Sequence, residues 1–296
     1  MNPKVKISIG ICAYNEEKNI EQAIRSAYSQ NTDNFEIAEI IVVSSGSTDR
    51  TDEIVSGLTS EFENLVLLSQ ASREGKNSAI NLFLDNKTAP IAVLLNADNT
   101  LGNSDTLNNL IKLFSDSDVG IVGGRPVPTN GLDTLTGFAS NMLWTMHHHV
   151  SMRHPKIGEL IAFRDIGTRL PYDAQSDEDI LRMKLEEKGY LSDYAPEAVV
   201  YNRGPETISD FLKQRIRVNI GERYMKKNYD YDIPTWNSRL LVYAFIDTVK
   251  DLGFHPIKIT GTLCIEAYSR LKSALHVKSG KSDSSIWDPV TTTKKL

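Results

Sequence analysis

The sequence predicts an α/β protein in which helices flank a mainly parallel sheet. Strand-like and helix-like segments alternate along the first half of the chain, and this alternation is typical of β-α-β units. A polar cluster follows each of the first four predicted strands, which is where ligands bind in sheets of this kind. The chain has 296 residues, of which 40% are hydrophobic and 24% charged, so it is long enough to bury a sizeable core.

Segments rich in β-branched and apolar residues are predicted to be the strands of the first half. They are residues 5–13, 37–43, 66–69, 91–95 and 119–122. The first helix is predicted to follow Asn15, which is a candidate N-cap. Its buried face is predicted from apolar positions at helical spacing, namely Ile20, Ala23, Ile24 and Ala27. A short helix from about Thr51 and another over residues 76–84 follow.

The pattern changes from about Gly124, and the second half is predicted to be mainly helical with one short strand over residues 160–163. The predicted helices are residues 135–152, 177–188 (ended by Gly189) and 208–227, and two amphipathic helices within residues 236–274 around a break at residues 253–256. A polar, loose tail is expected over residues 278–296, apart from Trp287.

This organisation predicts one catalytic domain and an appendage. The domain covers residues 1–228, divided into a nucleotide-sugar-binding half (1–123) and an acceptor or catalytic half (124–228). Residues 229–296 form a C-terminal appendage of amphipathic helices and the polar tail.

Composition narrows the class of protein. The formal net charge of −5 argues against a nucleic-acid partner. Two cysteines, Cys12 and Cys264, form neither a disulfide framework nor a metal-ligand cluster, which fits a reducing compartment. The sequence shows no signal-peptide pattern and no apolar run of membrane-spanning length. We therefore expect a cytoplasmic protein whose basic helix and amphipathic C-terminal segments contact an anionic membrane surface peripherally.

The polar clusters occupy equivalent positions after the first four strands. They are residues 14–16, 44–49, 73–76 and 96–98. Because the carboxyl ends of parallel strands meet at one edge of a sheet, these clusters are expected to form a single site.

Six short motifs resemble those of the family 2 inverting glycosyltransferases with the GT-A fold. Four are I-S-I-G-I-C-A-Y-N-E-E (7–17), I-I-V-V-S-S-G-S-T-D-R-T (40–51), R-E-G-K-N-S-A-I-N (73–81) and L-L-N-A-D-N (94–99). S-D-E-D (176–179) and Q-R-I-R-V (214–218) extend the resemblance, which covers roughly residues 5–227. It implies a Rossmann-like nucleotide-diphospho-sugar transferase. Such an enzyme would move a sugar to a hydroxyl of a glycan or lipid-linked acceptor, in cell-surface polysaccharide or glycoconjugate synthesis.

The same resemblance implies the donor-binding residues. They are Cys12, Ala13, Tyr14, Asn15, Glu16, Ser45, Lys76, Asn96, Ala97 and Asp98. Ser45 stands where the family has an aspartate that reads the uracil edge, and a hydroxyl reads a base less selectively. The resemblance favours a UDP-sugar as donor, and because of Ser45 a GDP-sugar stays open.

A diphosphate leaving group needs a cation, hydrogen-bond donors or both, because it carries about two to three negative charges. Mg²⁺ and Mn²⁺ prefer hard oxygen ligands. Asp98 follows the fourth strand, and the resemblance makes it the metal-bridging residue of a D-x-D-type motif in which Asn96 takes the first position. The alternative is a strand-end turn in which Asp98 caps a helix.

The resemblance also implies a general base and an acceptor side. Asp179 occupies the position of the family's catalytic aspartate, and Asp177 and Glu178 are its rivals, since a one-residue shift would exchange their roles. Glu178, Gln214, Arg215 and Arg217 are candidates for contacting the acceptor or a phosphate. The alternative for the three carboxylates is that they only complement the helix dipole. The alternative for the basic residues is that they form a helix face exposed to solvent.

Other classes are less well supported. A sugar nucleotidyltransferase would show a Gly-rich loop and a lysine after the first strand, and a dehydrogenase would show G-x-G-x-x-G. A catalytically inactive nucleotide-sugar-binding module is the remaining alternative, given the substitutions at Ser45, Asn96 and Val218. The consecutive His147, His148 and His149 cannot all face one site, so they are expected to line a helix contact.

Overall fold

A computed structural model describes residues 4–172, 174, 176–279 and 293. Eight strands form a single sheet in the order β3-β2-β1-β4-β7-β6-β8-β5. The strands are β1 (Val5–Ala13), β2 (Phe35–Ser45), β3 (Leu65–Gln70), β4 (Ile91–Asn96), β5 (Thr100–Leu101), β6 (Val119–Pro128), β7 (Leu160–Arg164) and β8 (Leu191–Asn202).

Helices cover both faces of this sheet. They are α1 (Ile20–Tyr28), α2 (Thr51–Leu58), α3 (Lys76–Asn86), α4 (Thr106–Ile111), α5 (Leu135–Ser151), α6 (Asp177–Glu187), α7 (Ile208–Tyr229), α8 (Ser238–Leu252) and α9 (Pro256–Lys278). Alternate residues of the inner strands enter two separate clusters of buried apolar side chains, so the sheet is buried on both faces, as a doubly covered sheet requires. The predicted α/β fold is confirmed.

The first four major strands pair in parallel, as predicted. The Ile- and Val-rich runs of β1, β2 and β4 are largely buried, whereas β3 lies at the edge of the sheet and is mostly only partly buried. On one face, α3 approaches β1 so closely that a Cβ added at Gly10 would lie 2.7 Å from the ring of Phe83. This close packing places the amino end of α3 beside the carboxyl ends of the strands.

The second half of the sheet is mixed, which the sequence pattern did not reveal. The predicted fifth strand, β6, is longer than expected and does not lie next to β4, because β7 lies between them, antiparallel to both. Strand β8 was not predicted, since Pro196 and acidic residues interrupt its apolar pattern. It pairs with β6 in parallel, with a shift in register between Gly123 and Arg125. Because proline lacks the N–H that a regular ladder needs, this irregular part of the ladder can accommodate Pro196.

The first helix does not begin as predicted. Its N-cap is Asn19, and the helix starts at Ile20, whereas Asn15 lies four residues upstream in the left-handed region with φ of 53°. The predicted capping role of Asn15 is therefore wrong. The predicted apolar face of α1 is correct, because Ile20, Ala23, Ile24 and Ala27 are all buried.

The two predicted C-terminal helices pack on α5 and α7. Ile259 of α9 lies in one apolar cluster with Phe138 of α5, while Glu266 of α9 accepts hydrogen bonds from Arg215 of α7. None of the described helices combines the length and apolarity needed to cross a bilayer. Helix α9 extends to Lys278, and Trp287 of the predicted tail lies outside the described residues. The division of the chain at residues 228 and 229 stays a prediction.

Candidate functional site

The carboxyl ends of four parallel strands meet at one edge of the sheet. Strand register places Cys12 beside Asn96, Ala13 beside Ser44, and Ser45 beside Gln70. The polar clusters that follow these strands are therefore neighbours in space, as the sequence predicted. Burial raises the pKa of the Cys12 thiol to about 12. The thiol is therefore uncharged at neutral pH and does not act as a nucleophile.

The loops after β1 and β2 are joined through Asn15. Its side-chain Oδ1 accepts a hydrogen bond from the backbone N–H of Thr48 at 2.7 Å, and its own backbone N–H donates to Ser47 Oγ at 3.1 Å. The backbone N–H of Glu16 donates to Thr51 Oγ1 at 2.8 Å. The left-handed conformation of Asn15 thus allows two donor-side loops to act as one unit.

The loop after β3 closes onto this unit. Gly46 has φ of 66°, and a Cβ added there would lie 2.5 Å from the carbonyl carbon of Ser72. Ser45 Oγ accepts a hydrogen bond from the backbone N–H of Glu74 at 3.2 Å. The guanidinium of Arg73 lies 4.2 Å from the ring centroid of Tyr14, within cation–π distance. An aromatic face and a cation are thereby combined at the rim of the site.

Lys76, the first residue of α3, connects the donor side to the amino end of α6. Its Nζ lies 2.8 Å from Asp177 Oδ2 and 3.4 Å from Glu178 Oε1. Burial by itself lowers the pKa of Lys76, but the carboxylates of Asp177 and Glu178 outweigh it and the net pKa is raised. Lys76 therefore stays charged, and it joins residues that are about one hundred positions apart in the chain.

Two asparagines of α3, which the sequence analysis quoted only as part of a motif, hold the segment that leads into α6. Asn77 Nδ2 donates to the carbonyls of Pro171 and Ala174, both at 2.8 Å. Asn81 exchanges two hydrogen bonds of 2.8 Å with the backbone of Leu170. The motif K-N-S-A-I-N thus fixes both the donor loop and the approach to α6. The i, i+4 spacing of Asn77 and Asn81, which places both on one face of α3, is the sequence feature that could have indicated this role.

The end of β4 holds the predicted cation-binding residues and one that the sequence analysis missed. Ala97 is buried and Asp98 is half-buried. Asn96 Nδ2 donates to Glu159 Oε2, and Asn99 Nδ2 donates to the same oxygen at 3.1 Å. Glu159 immediately precedes β7, so only the antiparallel pairing of β7 with β4 brings it here.

The side chains at the end of β4 suit a hard divalent cation. The carboxylates of Asp98 and Glu159 and the amide oxygen of Asn96 are the oxygen ligands that Mg²⁺ and Mn²⁺ prefer. Among the described residues, no three His, Cys, Asp or Glu side chains are arranged to enclose a metal ion. This set fits a cation that takes one or two carboxylates from the protein and completes its shell with phosphate oxygens and water.

The three carboxylates that begin α6 have different surroundings. Burial raises the pKa of Glu178 to about 8, with a further contribution from Asp177, against the opposing effect of Lys76. Burial also raises the pKa of Asp179. Asp179 Oδ2 accepts a hydrogen bond from Ser176 Oγ at 2.6 Å, whereas its buried Oδ1 has no hydrogen-bond partner in the described part of the chain.

Asp179 faces a different set of groups from Asp177. The charged groups that act on it are Lys156, Glu222 and Arg182. Lys156 Nζ in turn lies 3.4 Å from Glu222 Oε1 of α7. Asp177 therefore contacts the donor side through Lys76, while Asp179 lies against the second half of the molecule.

The predicted acceptor residues on α7 have different surroundings. Arg215 forms an ion pair with Glu266 of α9, at 2.8 Å, inside a helix–helix contact. Gln214 and Arg217 are half-buried. Of the predicted acceptor residues, Glu178 lies beside Lys76, whereas Arg215 is part of the packing between α7 and α9.

The three histidines of α5 line contacts between elements: His149 contacts another helix, as expected, whereas His148 contacts β8 and His147 contacts the segment before β7. His148 Nδ1 lies 2.9 Å from the hydroxyl of Tyr194, and His149 Nε2 lies 2.8 Å from Asp251 Oδ2 of α8. Burial lowers the pKa of His147 to about 3, and its neutral ring packs against Gly158, where an added Cβ would lie 3.2 Å from Nε2.

Residues 8–179 match the model of the family described as Glycosyl transferase family 2. A poly-beta-1,6-N-acetyl-D-glucosamine synthase from Staphylococcus aureus is 25% identical over 223 residues, which are 71% of this chain and 53% of that protein. A dolichyl-phosphate beta-glucosyltransferase, ALG5D, from Trichomonas vaginalis is 30% identical over 132 residues, 42% of this chain and 40% of that one. The chain thus spans about half the length of the first of these relatives.

Two solved structures share the fold. The mannosyltransferase PcManGT from Pyrobaculum calidifontis, in complex with GDP-Man and Mn²⁺, superposes with a TM-score of 0.61 at 22% identity, covering 94% of this chain and 80% of that one. TarS 1–349 from S. aureus, in complex with UDP-GlcNAc, superposes with a TM-score of 0.53 at 14% identity, covering 94% and 93%.

Proposed function

The chain belongs to glycosyl transferase family 2, and from that premise we propose that it moves a sugar from a nucleoside-diphosphate sugar to a hydroxyl acceptor with inversion. The observation that carries the proposal is the junction at Lys76. It joins the loops at the ends of four parallel strands, where nucleotides bind, to the carboxylates that begin α6. The loops proposed to bind the donor and the carboxylates that begin α6 are therefore adjacent, as a transfer reaction needs.

In the proposed reaction, a carboxylate removes the proton from the acceptor hydroxyl as the oxygen attacks the anomeric carbon. The new C–O bond forms as the bond to the diphosphate breaks, and the nucleoside diphosphate leaves from the opposite face. A Mg²⁺ or Mn²⁺ ion bound by Asp98 would offset the charge of the diphosphate. Arg73 and Tyr14 form the rim, and Ser45, Asn15 and their loops hold the nucleoside.

The base is proposed to be a carboxylate at the amino end of α6. Asp179 is the sequence-based candidate. Ser176 donates a hydrogen bond to one of its oxygens, and the other oxygen has no hydrogen-bond partner in the described part of the chain. Asp177 is its rival, but the contact with Lys76 places Asp177 on the proposed donor side, whereas an inverting base must lie opposite the leaving diphosphate. Asp179 is therefore the proposed base, and the substitutions Asp177→Asn and Asp179→Asn distinguish the two.

The relatives support the proposed donor and acceptor classes. A UDP-sugar is the favoured donor, and a GDP-sugar is the alternative, since the two similar structures hold UDP-GlcNAc and GDP-Man respectively. The names of the similar enzymes support a glycan or lipid-linked acceptor in polysaccharide or glycoconjugate synthesis.

The test is a panel of UDP- and GDP-sugars with Mg²⁺ or Mn²⁺, scored first by thermal stabilisation and then by release of nucleoside diphosphate. A ligand that binds only the folded state raises the melting temperature by mass action. Asp98→Ala should lose the cation-dependent part of that stabilisation, whereas Asp105→Asn, which removes an exposed carboxylate, should keep it. Binding without release of diphosphate would favour the inactive module. Release of pyrophosphate from a nucleoside triphosphate and a sugar phosphate would favour the nucleotidyltransferase.

A peripheral contact with the cytoplasmic face of an anionic membrane is also proposed. Large apolar side chains are exposed along α8, α9 and the turn between them, namely Val242, Tyr243, Ile246, Phe254, Ile257, Leu263, Tyr268, Leu271 and Leu275. Phe254 and Ile257 at the turn are 75% and 87% exposed. Exposed cations accompany them, namely Arg239, Lys250, Lys272 and Lys278. Apolar residues flanked by cations suit an anionic lipid surface.

Co-sedimentation with vesicles tests this contact. The protein should bind phosphatidylserine vesicles better than neutral ones at low salt, and Phe254→Asp with Ile257→Asp should reduce that binding. Leu191→Asp, at an exposed apolar position on β8, serves as the control. Equal partitioning between the two kinds of vesicle would count against the membrane, and concentration-dependent self-association that the paired variant abolishes would indicate a second copy instead.

A further inference from the structure

Position 96 of this chain is neutral, although it takes the first place of a D-x-D-type motif. Two amides at the end of β4, those of Asn96 and Asn99, donate hydrogen bonds to the same oxygen of Glu159. A carboxylate is therefore present beside position 96, supplied by a neighbouring strand.

The backbone around Glu159 is held firmly. Leu95 pairs with Leu160 in the antiparallel ladder between β4 and β7, so Glu159 lies next to Asn96 by strand register. Ile157 is buried in the core, and Gly158 packs against the ring of His147. This carboxylate is thus placed by the sheet itself rather than by a free loop.

The charge of Glu159 is not neutralised by a direct ion pair in the described part of the chain. Its hydrogen-bond donors there are the two neutral amides, and Lys76 acts on it only through longer-range attraction. An aspartate at position 96 would face Glu159 as a like charge, whereas the amide of asparagine donates to it. Asn96 and Glu159 are therefore complementary as a pair.

We propose that Glu159 supplies the second carboxylate of the cation site, in place of the acidic residue that the motif carries at position 96. This inference rests on the proposed function, since it needs a cation bound with the nucleoside diphosphate. Asp98 and Glu159 together give the site its negative charge. Asn96 orients Glu159 through its Nδ2 and leaves its own Oδ1 for the cation or its water shell.

Binding of Mn²⁺ measured by calorimetry, in the presence of saturating UDP and separately GDP, tests the inference. Glu159→Gln keeps a hydrogen-bond acceptor for Asn96 but removes the charge, and it should weaken Mn²⁺ binding roughly tenfold or more. The double variant Asn96→Asp/Glu159→Gln returns a carboxylate to the other strand and should recover most of the affinity. Glu197→Gln, an exposed residue paired with Lys112, is the matched control and should bind as wild type.

Each outcome has a distinct meaning. Unchanged Mn²⁺ affinity in Glu159→Gln, with unchanged thermal unfolding in the absence of metal, would overturn the inference, and so would a double variant that recovers nothing. If the wild-type protein binds neither diphosphate with Mn²⁺, the proposed function fails before the role of Glu159 is reached.

Discussion

The carboxylates that begin α6 illustrate how neighbouring residues acquire different roles. Asp177 contacts Lys76 of the donor side, whereas Asp179 is buried among Lys156, Arg182 and Glu222. Residues 177 and 179 of a helix are about 200° apart, so they cannot face the same cleft. Their positions in the sequence do not tell which one faces the donor, because that depends on how α6 packs.

The chemical step distinguishes the two aspartates. A positioned general base contributes roughly 10²–10⁴-fold to a rate, so Asp179→Asn should lower turnover by that order at saturating donor and acceptor, with donor affinity retained. Asp177→Asn is expected to have the smaller effect on turnover. The measurement is steady-state turnover for both variants, with circular dichroism to check folding. If Asp177→Asn alone removed turnover, the base would instead be Asp177, the carboxylate that contacts Lys76.

Asp179 should also affect stability in a pH-dependent way. Burial raises its folded-state pKa above the unfolded value of about 4, so the folded state binds the proton more tightly. The stability gained from this protonation is complete below the unfolded pKa and is lost as pH rises through the folded pKa. Asp179→Asn removes this loss and still accepts from Ser176, so the variant should gain stability over wild type as pH rises from about 4 towards neutrality. Urea unfolding across that range measures the difference, and a constant difference would show that the pKa of Asp179 is not raised.

At the scale of single residues, the sequence predicted that the polar clusters after the first four strands lie together, and the strand register confirms this. The roles of Lys76, Asp98 and the loop residues in binding a donor come from the family resemblance and stay predictions. Glu159 was missed because its position depends on the antiparallel pairing of β7 with β4, which no local pattern encodes. The family resemblance identified the candidate site residues by their type, and only the structure showed which residues they contact.

The three donor-side loops behave as one element, and Gly46 is the residue that permits this. Its φ of 66° and the backbone of Ser72 at 2.5 Å from an added Cβ leave no room for a side chain. Gly46→Ala should therefore cost about 1–3 kcal/mol of stability and weaken nucleotide binding. Gly57→Ala, in the exposed part of α2 with nothing within 4 Å of the added Cβ, should instead stabilise by about 0.5–1 kcal/mol.

Chemical denaturation and UDP titration of both glycine variants provide the comparison. Equal stability of Gly46→Ala and wild type would mean that the loops can separate without cost. The proposal that they bind the nucleotide as one unit would then be wrong.

Whole elements were predicted with unequal success for a physical reason. Strands β1 to β4 alternate with helices, and β1, β2 and β4 are largely buried, so their apolar runs and order indicate a parallel sheet directly. Strand β8 is half polar and interrupted by Pro196, and its partner β6 lies about seventy residues earlier. Which strands pair over such a distance depends on which edges of the assembled sheet are available, so the sequence of a single segment does not determine it.

At the scale of the whole molecule, the C-terminal helices are part of the catalytic core's packing. Ile259 and Ile265 of α9 join apolar clusters with Phe138 and Phe211, and Glu266 pairs with Arg215. The segment before α8 also reaches the site, because Thr235 and Trp236 both donate hydrogen bonds of 3.0 Å to Glu222. Glu222 in turn contacts Lys156, which lies near Asp179.

Truncation after residue 228 tests whether the predicted appendage is separable. The shortened chain would expose Phe138 and Phe211 and leave Arg215 without Glu266, and breaking a largely buried ion pair by removing one partner costs about 3–5 kcal/mol. We therefore expect the truncated chain to aggregate or to unfold at a much lower temperature, and to lose UDP-dependent stabilisation. The single substitution Glu266→Gln in the full chain is the milder control, because it keeps the apolar contacts of α9 and one hydrogen-bond acceptor for Arg215. Thermal unfolding with and without UDP and Mn²⁺ measures all three proteins. A truncated chain that unfolds at the wild-type temperature and still binds UDP would show that residues 1–228 are a self-sufficient domain, and that the contact from Trp236 through Glu222 to Lys156 does not support the site.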